Sequence, residues 1–223
     1  MIRILKDIDI TEVGASVFNR KWQQIHLKQG DMDGACAVYS LMMYLILIKV
    51  LNRNEVTNLN TSFKGNTAKG RLFKEFFANE GLCRDGFYFS DPNKKEPNLT
   101  AKLNHSFAKV VKAKPDLFDS GKAEQEQAVD GIKSAIDNNT PIMIAIVRKD
   151  GAHAILAIGY EETEETVTKL FCLDPGYEMV QSSYWNTVIR INDFSTKKYS
   201  HQCITPDDIA EIYIDETLII TKK

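Results

Sequence analysis

Surplus charge of either sign is missing from this 223-residue chain: 28 Lys and Arg stand against 30 Asp and Glu, a formal net charge of -2 with a pI of about 6.1. That balance supplies no global attraction to nucleic acid or anionic lipid, and neither is expected as a partner. The local basic segment of Lys102, Lys109, Lys112 and Lys114 reads as a solvated face. Paired cysteines are missing too. Cys36, Cys83, Cys172 and Cys203 are scattered with no CxxC spacing, which argues against a zinc site or a redox disulfide. His201 and Cys203 are two potential ligands without a second pair, so no metal and no other cofactor is expected.

Long apolar runs are absent as well. The N-terminal MIRILKDIDITEVG alternates apolar and charged residues and lacks the continuous core of a signal peptide. Export by the usual route is therefore not expected, and the protein is placed in the cytoplasm or on a dedicated secretion route. The longest mainly apolar stretch, Ala35 to Ile48, is broken by Tyr39, Ser40 and Tyr44 and is too short to span a bilayer. It reads as a core helix, with no membrane insertion. There is no internal repeat and no low-complexity tract.

What is present changes in texture along the chain. Leu, Met and Ala dominate Cys36 to Leu51, apolar on every side, which predicts a central helix. A second helix is expected near Arg71 to Asn79, carrying Leu72, Phe73, Phe76 and Phe77 and stopped by Gly81. The turn-rich DPNKKEP, Asp91 to Pro97, is a connector. Leu103, Phe107, Val110 and Val111 have amphipathic-helix spacing and predict a helix ending before Pro115, and Ala128 to Ile136 repeats the pattern until DNNTP closes it. After Pro141, the segments IMIAIV, HAILAIGY, TVTKLFCL, TVIRI and EIYI are short and rich in Ile, Val and Thr, so they read as antiparallel strands. The expected fold class is α+β in a single domain, with a helical lobe over about 1–139, a β-sheet lobe over about 140–223 and a cleft between them.

Within that frame Cys36 stands where an acidic, glycine-containing loop becomes the apolar helix. A helix N-terminus stabilises a thiolate through its unpaired N–H groups, and the thiolate is the reactive form of cysteine. A cysteine beside apolar residues is also an ordinary core residue, so partners must decide. His153 opens the strand AHAILAIGYE, and Asp174 ends the next strand at Asp-Pro. If the two strands form a hairpin across the EETEET turn, the carboxylate can orient the imidazole. Trp185 and Asn186 offer a second candidate orienter, ranked below Asp174. Gln29, seven residues before Cys36, can supply a side-chain N–H to an oxyanion, with Gln23 and Gln24 as alternatives. Asp31 and Asp33 would oppose the thiolate if they were close to it.

Taken in chain order, Gln29, Cys36 at an apolar helix start, His153 at a strand start and Asp174 before Pro175 resemble the papain-like cysteine peptidases. The likeness runs over Gln29 to Leu51 and Thr140 to Gly176, and is nearest to the bacterial branch that removes double-glycine leaders from bacteriocins. The resemblance implies a papain-like fold and a thiol protease acting on a protein or peptide substrate. It also implies Cys36 as nucleophile, His153 as general base and acid, Asp174 as orienting carboxylate and Gln29 as oxyanion donor. The same apparatus serves deamidation, transglutamination and acyl transfer, and an inactive module that binds a partner in its cleft is the alternative of another class.

Overall fold

The structure is a computed structural model, and it describes residues 1–30, 34–57, 67–77, 86–90, 98–191 and 198–223. In chain order its elements are β1 (Ile2–Ile4), β2 (Ile8–Thr11), β3 (Gly14–Asn19), β4 (Lys21–Gln24), α1 (Cys36–Leu47), α2 (Arg53–Thr57), α3 (Ala68–Phe77), α4 (Leu99–Ser106), β5 (Val111–Leu117), α5 (Lys122–Asp137), β6 (Ile142–Arg148), β7 (Gly151–Thr163), β8 (Thr166–Leu173), β9 (Thr187–Arg190), β10 (His201–Ile204) and β11 (Ile209–Lys222).

Two long strands organise the sheet. β7 pairs with β6 and β8, and β11 pairs with β6 and β10; β9 joins β10 to β8, so the ring β7-β6-β11-β10-β9-β8 closes on itself as a six-stranded antiparallel barrel. Closure requires strands to bend, and both long strands carry a register shift, between Ala157 and Gly159 in β7 and between Ile214 and Glu216 in β11. β1 extends the sheet beside β7, β5 extends it beside β11, and β2, β3 and β4 form a separate three-stranded sheet. The β7–β8 hairpin turns through Glu164 and Glu165, both at positive φ, the turn geometry whose twist suits a two-residue hairpin.

Helix α1 packs against β7 and β6, and every residue of it except Cys36 and Tyr39 is buried. Two buried polar ties fix its pose. The Ser40 hydroxyl donates to Ala154 O at 3.0 Å, and the Tyr44 hydroxyl donates to Ile220 O at 3.0 Å while accepting from Ile220 N at 2.8 Å. The helix ends at Leu47, four residues before the expected stop, because the chain turns through Lys49 at φ 60°; the N–H groups of Ile48, Lys49 and Val50 then bond back to Tyr44, Ile46 and Leu45.

These pairings overturn the expected α+β, two-lobe, papain-like fold. Among the described residues strand outweighs helix, and the sheet is a closed barrel rather than the sheet half of a two-lobe fold. The supposed helical half opens with four strands, β1 to β4, and contains a fifth, β5. The helix expected from Leu103 to Val111 ends at Ser106, and Val111 to Leu117 is a strand that accommodates Pro115 because it lies beside β11 outside the closed ring. Gly81, Cys83, Asp31, Asp33 and the Asp91 to Pro97 connector lie outside the described residues. Among the described residues no helix is long and apolar enough to cross a membrane.

Candidate active site

The site is assembled from one helix start and one hairpin. Cys36 is the first residue of α1, whose first turn carries no acidic residue and no side-chain cap, so its dipole and open N–H groups favour negative charge there. His153 is the third residue of β7. Asp174 directly follows β8, and the register Leu156 to Leu173 brings the two strand ends side by side. The Ser40 bond to Ala154 ties the turn after Cys36 to the residue after His153, so nucleophile and imidazole are held to one another through the backbone.

His153 Nε2 lies 2.7 Å from Asp174 Oδ1, and the imidazole and the Cys36 thiol are close enough to shift one another's pKa. His153 is 22% exposed and Asp174 only 1%. Burial is the largest single influence on each of Cys36 and His153 and disfavours the charged form of both. Against it, the hydrogen bond and charge of His153, with backbone bonds at Ala154 and Ala37, bring Cys36 below the ordinary thiol value. For His153, burial is outweighed by the bonds to Asp174 and Cys36 and by their charges, and its pKa rises to about 10. Both shifts favour the charged forms, thiolate and imidazolium, relative to the isolated groups.

Asp174 is itself clamped. Its Oδ1 also accepts the Gly176 N–H at 2.7 Å; its main-chain N–H donates to Asn186 Oδ1 at 2.7 Å, and its carbonyl accepts Asn186 Nδ2 at 2.9 Å and His26 Nε2 at 2.9 Å. Asn186 thus holds the backbone of Asp174 rather than the ring of His153. A side chain at Gly176 would meet Asp174 Oδ1 at 3.1 Å, so the glycine of the Asp-Pro-Gly turn leaves room for the carboxylate to reach the imidazole. His26 was not singled out from the sequence: it is one buried histidine with no motif around it, its pKa lowered by burial, and only the fold carries it to Asp174.

Gln29 reaches this neighbourhood by its main chain, its N–H donating to Pro175 O at 2.9 Å. Its Oε1 is buried and has no hydrogen-bond partner among the described residues. The alternatives are committed elsewhere: Gln23 Oε1 accepts from Arg53 N at 2.8 Å, and Gln24 Nε2 donates to Val13 O at 2.6 Å.

His153 stands between two cavities. One, of about 200 Å³, is lined by Cys36, Gly34, the Gly86 to Phe89 segment, Asp215 and Glu216; the other, of about 310 Å³, by Asp174, Arg148, Tyr177, Thr205 and Asp208. Gly34 and Gly86, both at positive φ, pack back to back beside Cys36, where a Cβ on Gly86 would lie 3.3 Å from Gly34 O.

Among the described residues no group of three or more His, Cys, Asp or Glu side chains is placed to hold a metal ion. His201 and Cys203 are both buried in β10, which pushes the imidazole down to about 4 and the thiol up to about 12. Cys172 is fully buried with its thiol pKa far raised. The chain matches no protein-family model and no curated protein.

Proposed function

We propose that the protein is a cysteine hydrolase that cleaves a peptide or isopeptide bond through a thioester intermediate. The observation that carries this reading is the chain of neighbours from Cys36 through His153 to the buried Asp174, 2.7 Å from the ring, with the thiol lowered by the imidazole and the imidazole raised by Asp174 first and by the thiol second. The Cys36 thiolate attacks the acyl carbon, and the proton on His153 passes to the leaving amine. The neutral imidazole then takes a proton from water, which hydrolyses the thioester and frees the acid. Asp174 keeps the ring turned toward the sulfur. Gln29 and the main-chain N–H of Cys36 are the proposed donors to the oxyanion. The substrate is a protein or peptide, and the motif likeness to leader-removing peptidases points the same way.

A second reading, acyl transfer or deamidation, uses the same groups and differs from hydrolysis only in which nucleophile resolves the thioester. Intact-mass analysis after incubation with peptide, ubiquitin-like and glutamine-containing acyl donors tests both readings. A thioester adduct on the wild type, absent in a folded Cys36→Ala variant, supports covalent chemistry, and the product released separates hydrolysis from transfer. Turnover that survives in folded Cys36→Ala would end the proposal.

A further inference from the structure

A groove of about 630 Å³ runs between α2 and β4, the edge strand of the three-stranded sheet. Arg20, Lys21 and Arg53 line it, and no acidic side chain does among the described residues. Glu12 and Glu55 are next to lining residues in the chain but are not part of the lining, and Glu55 accepts the Asn52 N–H at 2.8 Å. The segment 58–66 that follows α2, NLNTSFKGN, contains no Asp or Glu, so it has no carboxylate to bring. None of the three cations forms an ion pair with a described residue. Arg53 is half-buried; its Nη1 donates to Gln24 O and His26 O, and burial pulls its guanidinium below the ordinary arginine value with no carboxylate beside it to offset that cost. The amide side chains of the lining are committed within the protein: Asn19 Nδ2 donates to Asn52 Oδ1 at 2.9 Å, Gln23 Oε1 accepts from Arg53 N at 2.8 Å, and Gln24 Nε2 donates to Val13 O at 2.6 Å. Trp22, 48% exposed, lines the same groove, and the Phe18 ring across the hairpin meets it edge-on at 5.5 Å.

Cations without carboxylates, in a chain whose net charge is -2, suit a ligand that supplies the missing carboxylates. An exposed indole on an edge strand suits an apolar side chain carried by an extended backbone. We infer that this groove binds an acidic segment of a polypeptide laid along β4, its carboxylates on Arg20, Lys21 and Arg53 and an apolar side chain on Trp22. A nucleic acid strand also combines negative charge with a stacking face, but the acidic balance of the chain supplies no wider field for a polyphosphate, and three cations neutralise only a few phosphates. The inference goes beyond the hydrolase reading and does not rest on it.

Fluorescence anisotropy tests it on the full chain carrying Cys36→Ala, so that turnover cannot remove the ligand. The probes are labelled peptides of equal length built from Glu-Val, Gln-Val or Lys-Val repeats, with an oligothymidylate of the same length. At low salt the Glu-Val peptide is expected to bind about tenfold more tightly than the Gln-Val peptide, the gain that three partly solvated ion pairs warrant, and the Lys-Val peptide more weakly than either. The preference should shrink at high salt. Arg20→Gln and Lys21→Gln, both at exposed positions, should each reduce it several-fold, and Trp22→Ala should weaken the Glu-Val and Gln-Val peptides alike, with folding checked by circular dichroism. Equal affinity for the Glu-Val and Gln-Val peptides, or a preference that neither charge variant changes, would overturn the inference. Tighter binding of the oligothymidylate than of the Glu-Val peptide would overturn it in favour of a nucleic acid. Because binding is read without Cys36, its failure leaves the hydrolase reading standing, and the loss of that reading leaves the groove assignment standing.

Discussion

His153 and Asp174, twenty-one residues apart in the chain, meet at 2.7 Å because β7 and β8 are a hairpin that ends with the two residues side by side. The buried carboxylate has the imidazole as its charged partner, and Asn186 holds it by the backbone. Asp174→Asn should therefore turn or mis-tautomerise the ring and lower kcat by up to about 10⁴-fold. Asn186→Ala should cost less activity but destabilise the fold by roughly 1–3 kcal/mol, because it leaves a buried backbone N–H and carbonyl short of partners. Steady-state kinetics paired with denaturant melts distinguish the two. The reverse ranking would give the orienting role to Asn186.

The two shifted groups define a pH window. His153 is raised to about 10, above its unfolded value, so its contribution to stability is complete below that unfolded value and is lost as pH climbs through about 10. Cys36 is depressed, so its contribution is present above the unfolded thiol value and is lost as pH falls through its folded one. Titrating the ultraviolet absorbance difference between wild type and Cys36→Ala should show the thiolate forming below the free-thiol value of about 8.5, with the two groups titrating as a coupled pair. One step at the ordinary thiol value would contradict the pair.

The strands after Pro141 are legible in the sequence because their Ile, Val and Thr runs are bounded by polar turns. Barrel closure is not, since it depends on β9 and the added strand β10 linking β8 to β11 and on β11 meeting β6, pairings that no local period encodes. The Val111 to Lys114 run alternates as a strand does, yet Leu103, Phe107, Val110 and Val111 also fit a helix. Tertiary pairing with β11 decides between these periods. At the site, Cys36, His153 and Asp174 are legible as residue types at element ends, whereas His26 and the bulged Asp215 have no signature outside the folded sheet.

Gln29→Ala should act mainly on the catalytic constant, by the equivalent of about 2.7–4 kcal/mol, if its side chain donates to the oxyanion. Measuring kcat and KM separately provides the check. An effect confined to KM would make Gln29 a substrate-binding residue.

Tyr44→Phe tests the fold independently of the chemistry. Its hydroxyl both accepts from and donates to Ile220, so removing it strands two buried backbone groups at a cost of roughly 1–3 kcal/mol each. Thermal unfolding should show the loss, with the Cys36 alkylation rate of the folded protein little changed. An unaltered melting temperature would mean that this tie does not hold α1 to β11.

The central claim is that Cys36 is a thiolate made by His153, and selective alkylation tests it most directly. At mildly acidic pH, limiting iodoacetamide followed by peptide mapping should label Cys36 ahead of Cys83, Cys172 and Cys203. Cys172 and Cys203 should stay unlabelled until the protein unfolds, because burial raises both thiols. In a folded His153→Ala variant the preference for Cys36 should disappear. Equal labelling of the accessible cysteines in the wild type, or a Cys36 rate indifferent to the loss of His153, would contradict the account and reduce Cys36 to the first residue of a buried helix.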